Sequence, residues 1–168
     1  DKQIYITAKD KDRVRMYSLN PSNGKIKQLQ AKEDVISDYS IANQAFEMVY
    51  FGLSASNSQR LYTYNLKNDA SSCLIDLSKE ILKDVTLGEV QDWNFVSAQG
   101  DTIYGRFYLP PHFDATKKYP MIVNYYGGTT PTARVMESRY PSHIYAGLGY
   151  IVYIIQPSGA TGFGQEFS

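Results

Sequence analysis

The feature of this sequence that most restricts its fold is an internal repeat with an offset of 45 residues. The pair Ile4-Tyr5 recurs in similar form as Val49-Tyr50, and Arg15, Tyr17 and Asn20 recur as Arg60, Tyr62 and Asn65. In each copy, short β-branched or aromatic runs alternate with turn-forming residues, which is typical of a β-meander. A period of about 40–45 residues with several short strands per unit indicates propeller blades. A plain antiparallel sandwich whose hairpins match by chance would give the same pattern.

The repeat places strands at similar positions in both copies. We predict strands at 4–7, 14–19 and 25–29 in the first copy, and at 47–52 and 60–66 in the second, with 73–76 closing the unit. Fifteen tyrosines support this prediction, because tyrosine fits pleated, half-buried surfaces. We therefore expect residues 1–85 to be the C-terminal blades of a β-propeller.

The pattern changes after a mixed-charge linker at 79–86. Two strands are predicted at 93–98 and 103–109, joined by the turn Gln99-Gly100-Asp101 and ended by Pro110-Pro111. An apolar run at 121–125 suits a strand buried on both faces, and Tyr126-Gly127-Gly128 follows as a tight turn. A helix near 142–148 and a second buried strand at 150–156 complete the series. Strand, glycine turn, helix and strand open an α/β layered sheet, so residues 86–168 are expected to be the N-terminal part of an α/β domain that needs more chain.

Composition excludes several classes of function. The chain has 17 basic and 17 acidic side chains, and this balance argues against nucleic acid or an anionic membrane as the main partner. No apolar run approaches the roughly 18 residues of a membrane span. The single cysteine, Cys73, excludes an internal disulfide and a zinc site built from cysteine pairs, and a small buried apolar position is expected for it. No metal or cofactor is expected.

Three motifs in the second half resemble the junction between propeller and hydrolase in the prolyl oligopeptidase family, which includes dipeptidyl-peptidases and acylaminoacyl-peptidases. They are Gln99-Gly100-Asp101 with Leu109-Pro110-Pro111, Lys118-Tyr119-Pro120 running into Tyr126-Gly127-Gly128, and Ser158-Gly159-Ala160-Thr161-Gly162-Phe163-Gly164. Ser158 stands where arginine is common in the family. The first half resembles the family's last blades more weakly, through Asp38-Tyr39-Ser40 and Leu61-Tyr62. The resemblance implies a mainly β chain, the last propeller blades followed by the start of an α/β-hydrolase domain.

The same resemblance implies acyl-enzyme chemistry on short peptides. The family's serine nucleophile lies in a Gly-x-Ser-x-Gly elbow, and no such pentapeptide occurs here. We therefore expect the Ser-Asp-His triad to lie outside this chain, which would be inactive alone. The resemblance also implies that the Tyr126 hydroxyl is an oxyanion donor, with Gly127 and Gly128 beside the substrate. On the residues alone, Tyr126 is more simply one of fifteen packing tyrosines. Tyr125 is the weaker candidate, because period-two geometry turns it to the opposite side.

Other polar residues have simpler explanations. His112 and His143 are expected to be surface or structural, and Asp101 and Asp114 to serve turns and loops, with Asp92 a weaker acid candidate. Arg134 and Arg139 are expected to be solvated surface charges. The glycines at 159–164 lack the spacing and the lysine of a phosphate-binding loop.

Two rival functions stay open at this level: a non-catalytic β-rich binding module, and an esterase with the same hydrolase core. The expected partner is a peptide substrate, and homo-oligomerisation of the parent protein stays open. The compartment is not determined by the sequence, with an exported location slightly favoured over the cytoplasm.

Overall fold

The computed structural model describes residues 3–165 and residue 167, and residues 1, 2, 166 and 168 at the ends of the two predicted domains lie outside the described residues. The prediction of a mainly β chain is confirmed. The strands of the first sheet are β1 (Ile4–Asp10), β2 (Arg13–Leu19), β3 (Ile26–Gln28), β4 (Val35–Ile41), β5 (Glu47–Ser54), β6 (Asn57–Asn65) and β7 (Ala70–Asp76). Their order is β1-β2-β4-β5-β6-β7, and β3 also pairs with β2.

The sequence repeat corresponds to a repeat of strands. Shifted by 45 residues, β1, β2 and β3 overlap β5, β6 and β7. Strands β4 to β7 form a continuous antiparallel meander, which the pair Val14–Val35 joins in parallel to β2. The sequence-based expectations lack β4. Its pairing with β5 shifts register between Ile36 and Tyr39, and this irregularity breaks the two-residue period that would reveal a strand.

Tyrosines fill much of the core of the first sheet. Tyr50 and Tyr62 stack with ring centroids 5.1 Å apart, and Tyr64 meets Tyr50 edge-on at 6.5 Å. Their hydroxyls serve the connection between β3 and β4: Tyr50 accepts a hydrogen bond from the Lys32 N–H at 2.9 Å, and Tyr64 accepts one from Gln30 at 3.2 Å. A buried phenol needs such a partner. The tyrosines therefore fill the core and fix the following connection together.

The second half forms another sheet. After helix α1 (Lys79–Leu82) come β8 (Val90–Asp92), β9 (Phe95–Val96), β10 (Thr102–Tyr108), β11 (Met121–Tyr125), helix α2 (Ser142–Gly147) and β12 (Ile151–Gln156). The order is β11-β12-β10-β8, and β9 pairs with β10. Strands β11 and β12 are parallel and are connected through α2, which confirms the predicted α/β arrangement. No helix in the described part of the chain is long and apolar enough to cross a membrane.

The two faces of β10 have different roles. One carries Gly105 and Phe107 and packs in an aromatic cluster in which Trp93 and Tyr153 each lie within 5.5 Å of the Phe107 ring centroid. The opposite face carries Tyr104, Arg106 and Tyr108. These side chains reach toward the hairpin turns of the first sheet, through contacts with Lys11, Asp12 and the Ala55 cluster respectively.

Two predictions about burial are wrong. Strand β11, at one edge of its sheet, is not buried on both faces: it exposes 52% of Met121, 54% of Val123 and 64% of Tyr125. Successive side chains of a strand point to opposite faces, so these three residues share one face of the sheet, and that face is open to solvent. Cys73 is exposed rather than buried. It lies on β7, the last strand of the first sheet.

Candidate active site

Tyr126 directly follows the carboxyl end of β11 and is 58% exposed. Its ring lies across Gly128, where a Cβ atom would come within 2.5 Å of Tyr126 Cε1 and 3.1 Å of its hydroxyl oxygen. Glycine at position 128 therefore lets the tyrosine adopt this orientation. A Cβ atom at Gly127 would meet no atom of the described residues within 4 Å, so the backbone on that side is open. The phenol of Tyr126 is thus available to a ligand.

Two loops meet beside Tyr126, because β11 and β12 are parallel and their carboxyl ends lie at the same edge of the sheet. Residues 127–134 follow β11, and the glycine-rich residues 157–164 follow β12. The Thr161 N–H donates to the Thr129 carbonyl at 2.8 Å. The Gln156 side chain pairs twice with Thr132, accepting from its N–H at 2.9 Å and donating to its carbonyl at 2.8 Å. These hydrogen bonds tie the two loops to each other and to β12.

Arg106 binds the backbone of the loop that follows β11, residues 127–134. Its side chain is 1% exposed, and its guanidinium donates to the carbonyls of Thr132 at 3.1 Å and Ala133 at 2.7 Å. A further nitrogen donates to the Tyr108 hydroxyl at 3.2 Å. A guanidinium offers five donors in a rigid plane, so one arginine can fix several acceptors at once. The sequence did not lead us to predict a role for Arg106. Its position between Tyr104 and Tyr108, on one face of an alternating strand, is a signal that a charged side chain shares that face.

Asp12, in the turn between β1 and β2 of the first sheet, forms an ion pair with Arg106 of β10. Its carboxylate is 2.8 Å from Arg106 Nη1 and 2.9 Å from Arg134 Nε, and only 8% of its side chain is exposed. The expectation that Arg134 is a solvated surface charge is wrong: the residue is 6% exposed and also contacts Asp92. Arg139 is exposed, as expected. A buried arginine needs a carboxylate partner, and the sequence gives no sign that this partner is 94 residues away.

The remaining predicted polar residues have structural roles. Asp114 accepts hydrogen bonds from the Thr116 N–H at 3.0 Å and hydroxyl at 2.7 Å, and Asp101 closes a turn with Ser97. These confirm the predicted turn roles. Asp92 pairs with Arg13 at 3.1 Å as well as with Arg134, so it is a partner in ion pairs.

The two histidines differ in environment. His112 is exposed and has a left-handed backbone with φ of 58°. His143 packs edge-on against Tyr108, and its Nε2 donates to the Ala55 carbonyl at 2.9 Å, which confirms a structural position. Burial lowers the pKa of His143, and the hydrogen bond to Ala55 opposes that shift. His143 thereby fastens α2 to the turn between β5 and β6.

Comparison with known proteins gives relatives along the whole chain. No protein-family model matches. The chain is 29% identical over 168 residues to dipeptidyl-peptidase 5 of Porphyromonas gingivalis, covering 99% of this chain and 24% of that protein. It is 28% identical to a probable dipeptidyl-peptidase 5 of Aspergillus terreus, again covering 24% of the relative. The chain therefore spans about a quarter of the length of the curated relatives it matches.

Solved structures give the same fold. An acylaminoacyl peptidase of Pyrococcus horikoshii superimposes with a TM-score of 0.79 at 20% identity, over 98% of this chain and 25% of the solved one. Dipeptidyl peptidase 4 of P. gingivalis superimposes with a TM-score of 0.76 at 16% identity, over 98% of this chain and 24% of the solved one. The arrangement of the two sheets thus recurs in peptidases of known structure.

Proposed function

We propose that this chain, a member of the prolyl oligopeptidase family of serine peptidases, is part of an enzyme that hydrolyses short peptides through an acyl-enzyme. The observation that carries the proposal is the exposed phenol of Tyr126, which stands at the carboxyl edge of a parallel sheet in a chain related along its length to dipeptidyl-peptidases. Ligands of open α/β sheets bind at that edge. The names of the curated relatives favour release of dipeptides over release of other products.

We further propose that residues 1–85 are propeller blades and residues 86–168 open an α/β-hydrolase domain. The 45-residue strand repeat supports the first part. The β11-α2-β12 crossover, the unpaired edge of β11 and its exposed apolar face support the second. A further parallel strand would pair with that edge, and a crossover helix would cover Met121, Val123 and Tyr125. Sequencing the complete gene tests this division. A Gly-x-Ser-x-Gly elbow downstream of Gly164, with Asp and His after it, is expected.

In this proposal, Tyr126 stabilises the charge that forms during acyl transfer. Attack by a serine converts the scissile carbonyl into an oxyanion, and a preorganised donor stabilises that charge by roughly 3–4 kcal/mol. Tyr126 suits this task because its ring is oriented by Gly128 while its hydroxyl stays open. Gly127 leaves space for the substrate backbone beside it, whereas Gly128 makes room for the Tyr126 ring. The serine, the general base and its carboxylate partner belong to the part of the enzyme beyond this chain.

A fluorophosphonate probe and three chromogenic substrates test the function. The full-length gene product should be labelled covalently, and the 168-residue chain should not be. The full-length protein should cleave a p-nitroanilide of a dipeptide with a free amino terminus faster than an N-acetyl amino-acid p-nitroanilide. For each substrate, the enzymatic rate is divided by the rate of spontaneous hydrolysis. This ratio should be larger for both anilides than for a short p-nitrophenyl ester. Preference for the ester would support an esterase instead. Absence of labelling and of turnover would support a binding module, and labelling of the 168-residue chain would show that the nucleophile has been misplaced.

A further inference from the structure

The turn between β1 and β2 inserts into the second half of the molecule. The Lys11 N–H donates to the Gly162 carbonyl at 2.8 Å, and the Lys11 ammonium lies 4.3 Å above the Tyr104 ring. Gly162 has φ of 94°, and a Cβ atom there would come within 2.9 Å of the Lys11 carbonyl oxygen. No other residue type fits both that conformation and that approach. The glycine-rich segment is therefore shaped to receive this turn.

The contact is complementary in charge. Six charged residues form one network of ion pairs: Asp12, Arg13 and Asp34 from the first sheet and its connections, and Asp92, Arg106 and Arg134 from the second half. The first group carries a net charge of −1 and the second a net charge of +1. Asp12 is the most buried carboxylate of the network, and it contacts both buried arginines. Charges that are this buried are stable only when they are paired.

The network leads to the loop after Tyr126. Arg106, which Asp12 neutralises, holds the carbonyls of Thr132 and Ala133. The Arg134 N–H also donates to the Asp12 carbonyl at 3.3 Å. The same turn reaches the second loop through Lys11 and Gly162, and that loop is tied to Thr129, three positions after Tyr126. One turn of the first sheet thus fixes both loops that border the candidate oxyanion donor.

We propose that Asp12 is a positioning residue for the reaction: it acts through Arg106 and Arg134 to hold residues 129–134, and with them Tyr126, in the productive geometry. This inference rests on the proposed function of Tyr126. The proposal gives a turn of the first sheet a part in catalysis. A displacement of about 1 Å in a catalytic group can lower turnover roughly 10²-fold, so a positioning residue far from the substrate can control the rate.

Hydrogen exchange measured by mass spectrometry and steady-state kinetics test this together, on the full-length protein with Asp12→Asn. Peptides covering 129–134 and 159–164 should exchange at least about tenfold faster than in the unaltered protein, while peptides from β5 and β6 stay protected. The kcat should fall by about 10- to 100-fold, with KM within about threefold. Asp12→Glu should restore part of the kcat. Asp10→Asn removes an exposed carboxylate two positions away and should change neither readout.

Each outcome decides the proposal. Unchanged exchange at 129–134 overturns it, whatever the kinetics show. Faster exchange with unchanged kcat means that the contact is structural only, and also overturns it. If β5 and β6 lose protection as well, Arg134→Lys replaces the first variant, since it keeps the charge and leaves Asp12 paired with Arg106, while weakening the pairing of the loop with Asp12 and Asp92. The proposed function fails separately, by an absence of turnover in the unaltered protein.

Discussion

Substitution of Gly105 by alanine tests whether the aromatic cluster of the second sheet holds the Tyr153 ring in place over β10. Gly105 lies on β10 opposite Ile155 of β12, and the ring of Tyr153, two positions before Ile155, lies over it. A Cβ atom on Gly105 would be 2.4 Å from the Tyr153 hydroxyl oxygen, 2.5 Å from Cε2 and 2.6 Å from Cζ. These distances are about 1 Å or more below ordinary contact. The Tyr153 ring cannot move aside without cost, because Phe107 packs at 4.6 Å and Trp93 at 5.5 Å between ring centroids.

The magnitude follows from two opposed effects. Overpacking of a filled core costs about 1–3 kcal/mol. Replacing glycine by alanine in a strand returns about 0.5–1 kcal/mol, because glycine loses more conformational freedom on folding. An approach of 2.4 Å is severe, so the overpacking cost should lie at about 2–3 kcal/mol. We therefore expect Gly105→Ala to lower the free energy of unfolding by about 1–2.5 kcal/mol, a decrease in Tm of roughly 2–10 °C for a chain of this size.

Urea unfolding followed by tryptophan emission measures this change directly. The chain has one tryptophan, Trp93, and it belongs to the cluster that the new methyl group would disturb. Gly147→Ala is the control for the general effect of replacing glycine by alanine, since a Cβ atom there meets no atom of the described residues within 4 Å. It should raise stability by about 0.5–1 kcal/mol. A Gly105→Ala variant as stable as the control, with unchanged Trp93 emission, would refute the claim that Tyr153 is held in place.

Three further predictions concern single side chains. Tyr153→Phe should raise stability by about 1 kcal/mol in urea unfolding, because the Tyr153 hydroxyl is buried without a hydrogen-bond partner in the described structure; a loss of stability would contradict this. Burial lowers the pKa of His143, so as pH falls the unfolded chain binds a proton at this side chain before the folded chain does, and stability should decline below about pH 6.5. His143→Gln should make that decline shallower in thermal melts at pH 5–7. An identical dependence of Tm on pH in the two proteins would contradict this. Cys73 is exposed, so a thiol reagent should modify it in the native protein as fast as in urea, and strong protection would contradict its position.

Much of the fold could be predicted because its information is local. The two copies of Arg15 and Tyr17 repeat at a fixed distance, and their strands do too. The β11-α2-β12 crossover follows from an apolar run, a glycine turn and a short helix that are contiguous in the chain. The strand β4 lacked a regular alternation, and its register shift explains why no period was visible.

The candidate site was predictable only in part. Tyr126 and its glycines form a short motif, and the resemblance to a family gave that motif its meaning. The pairing of Asp12 with Arg106 and Arg134 had no local signal, because it joins residues 94 and 122 positions apart. Charge alone favours a surface position for any arginine, and only the fold shows that a carboxylate meets it in the interior.

The most direct test of the central claim is the kcat of a Tyr126→Phe variant of the full-length protein, with Tyr125→Phe as the control. The two tyrosines are adjacent and similarly exposed, so general effects of removing a hydroxyl should be alike. If Tyr126 stabilises the oxyanion, its variant should lose about 10²- to 10³-fold in kcat with KM within about threefold, while Tyr125→Phe stays within about threefold of the unaltered protein. Equal kcat values for the two variants would contradict the assignment of Tyr126 to the active site.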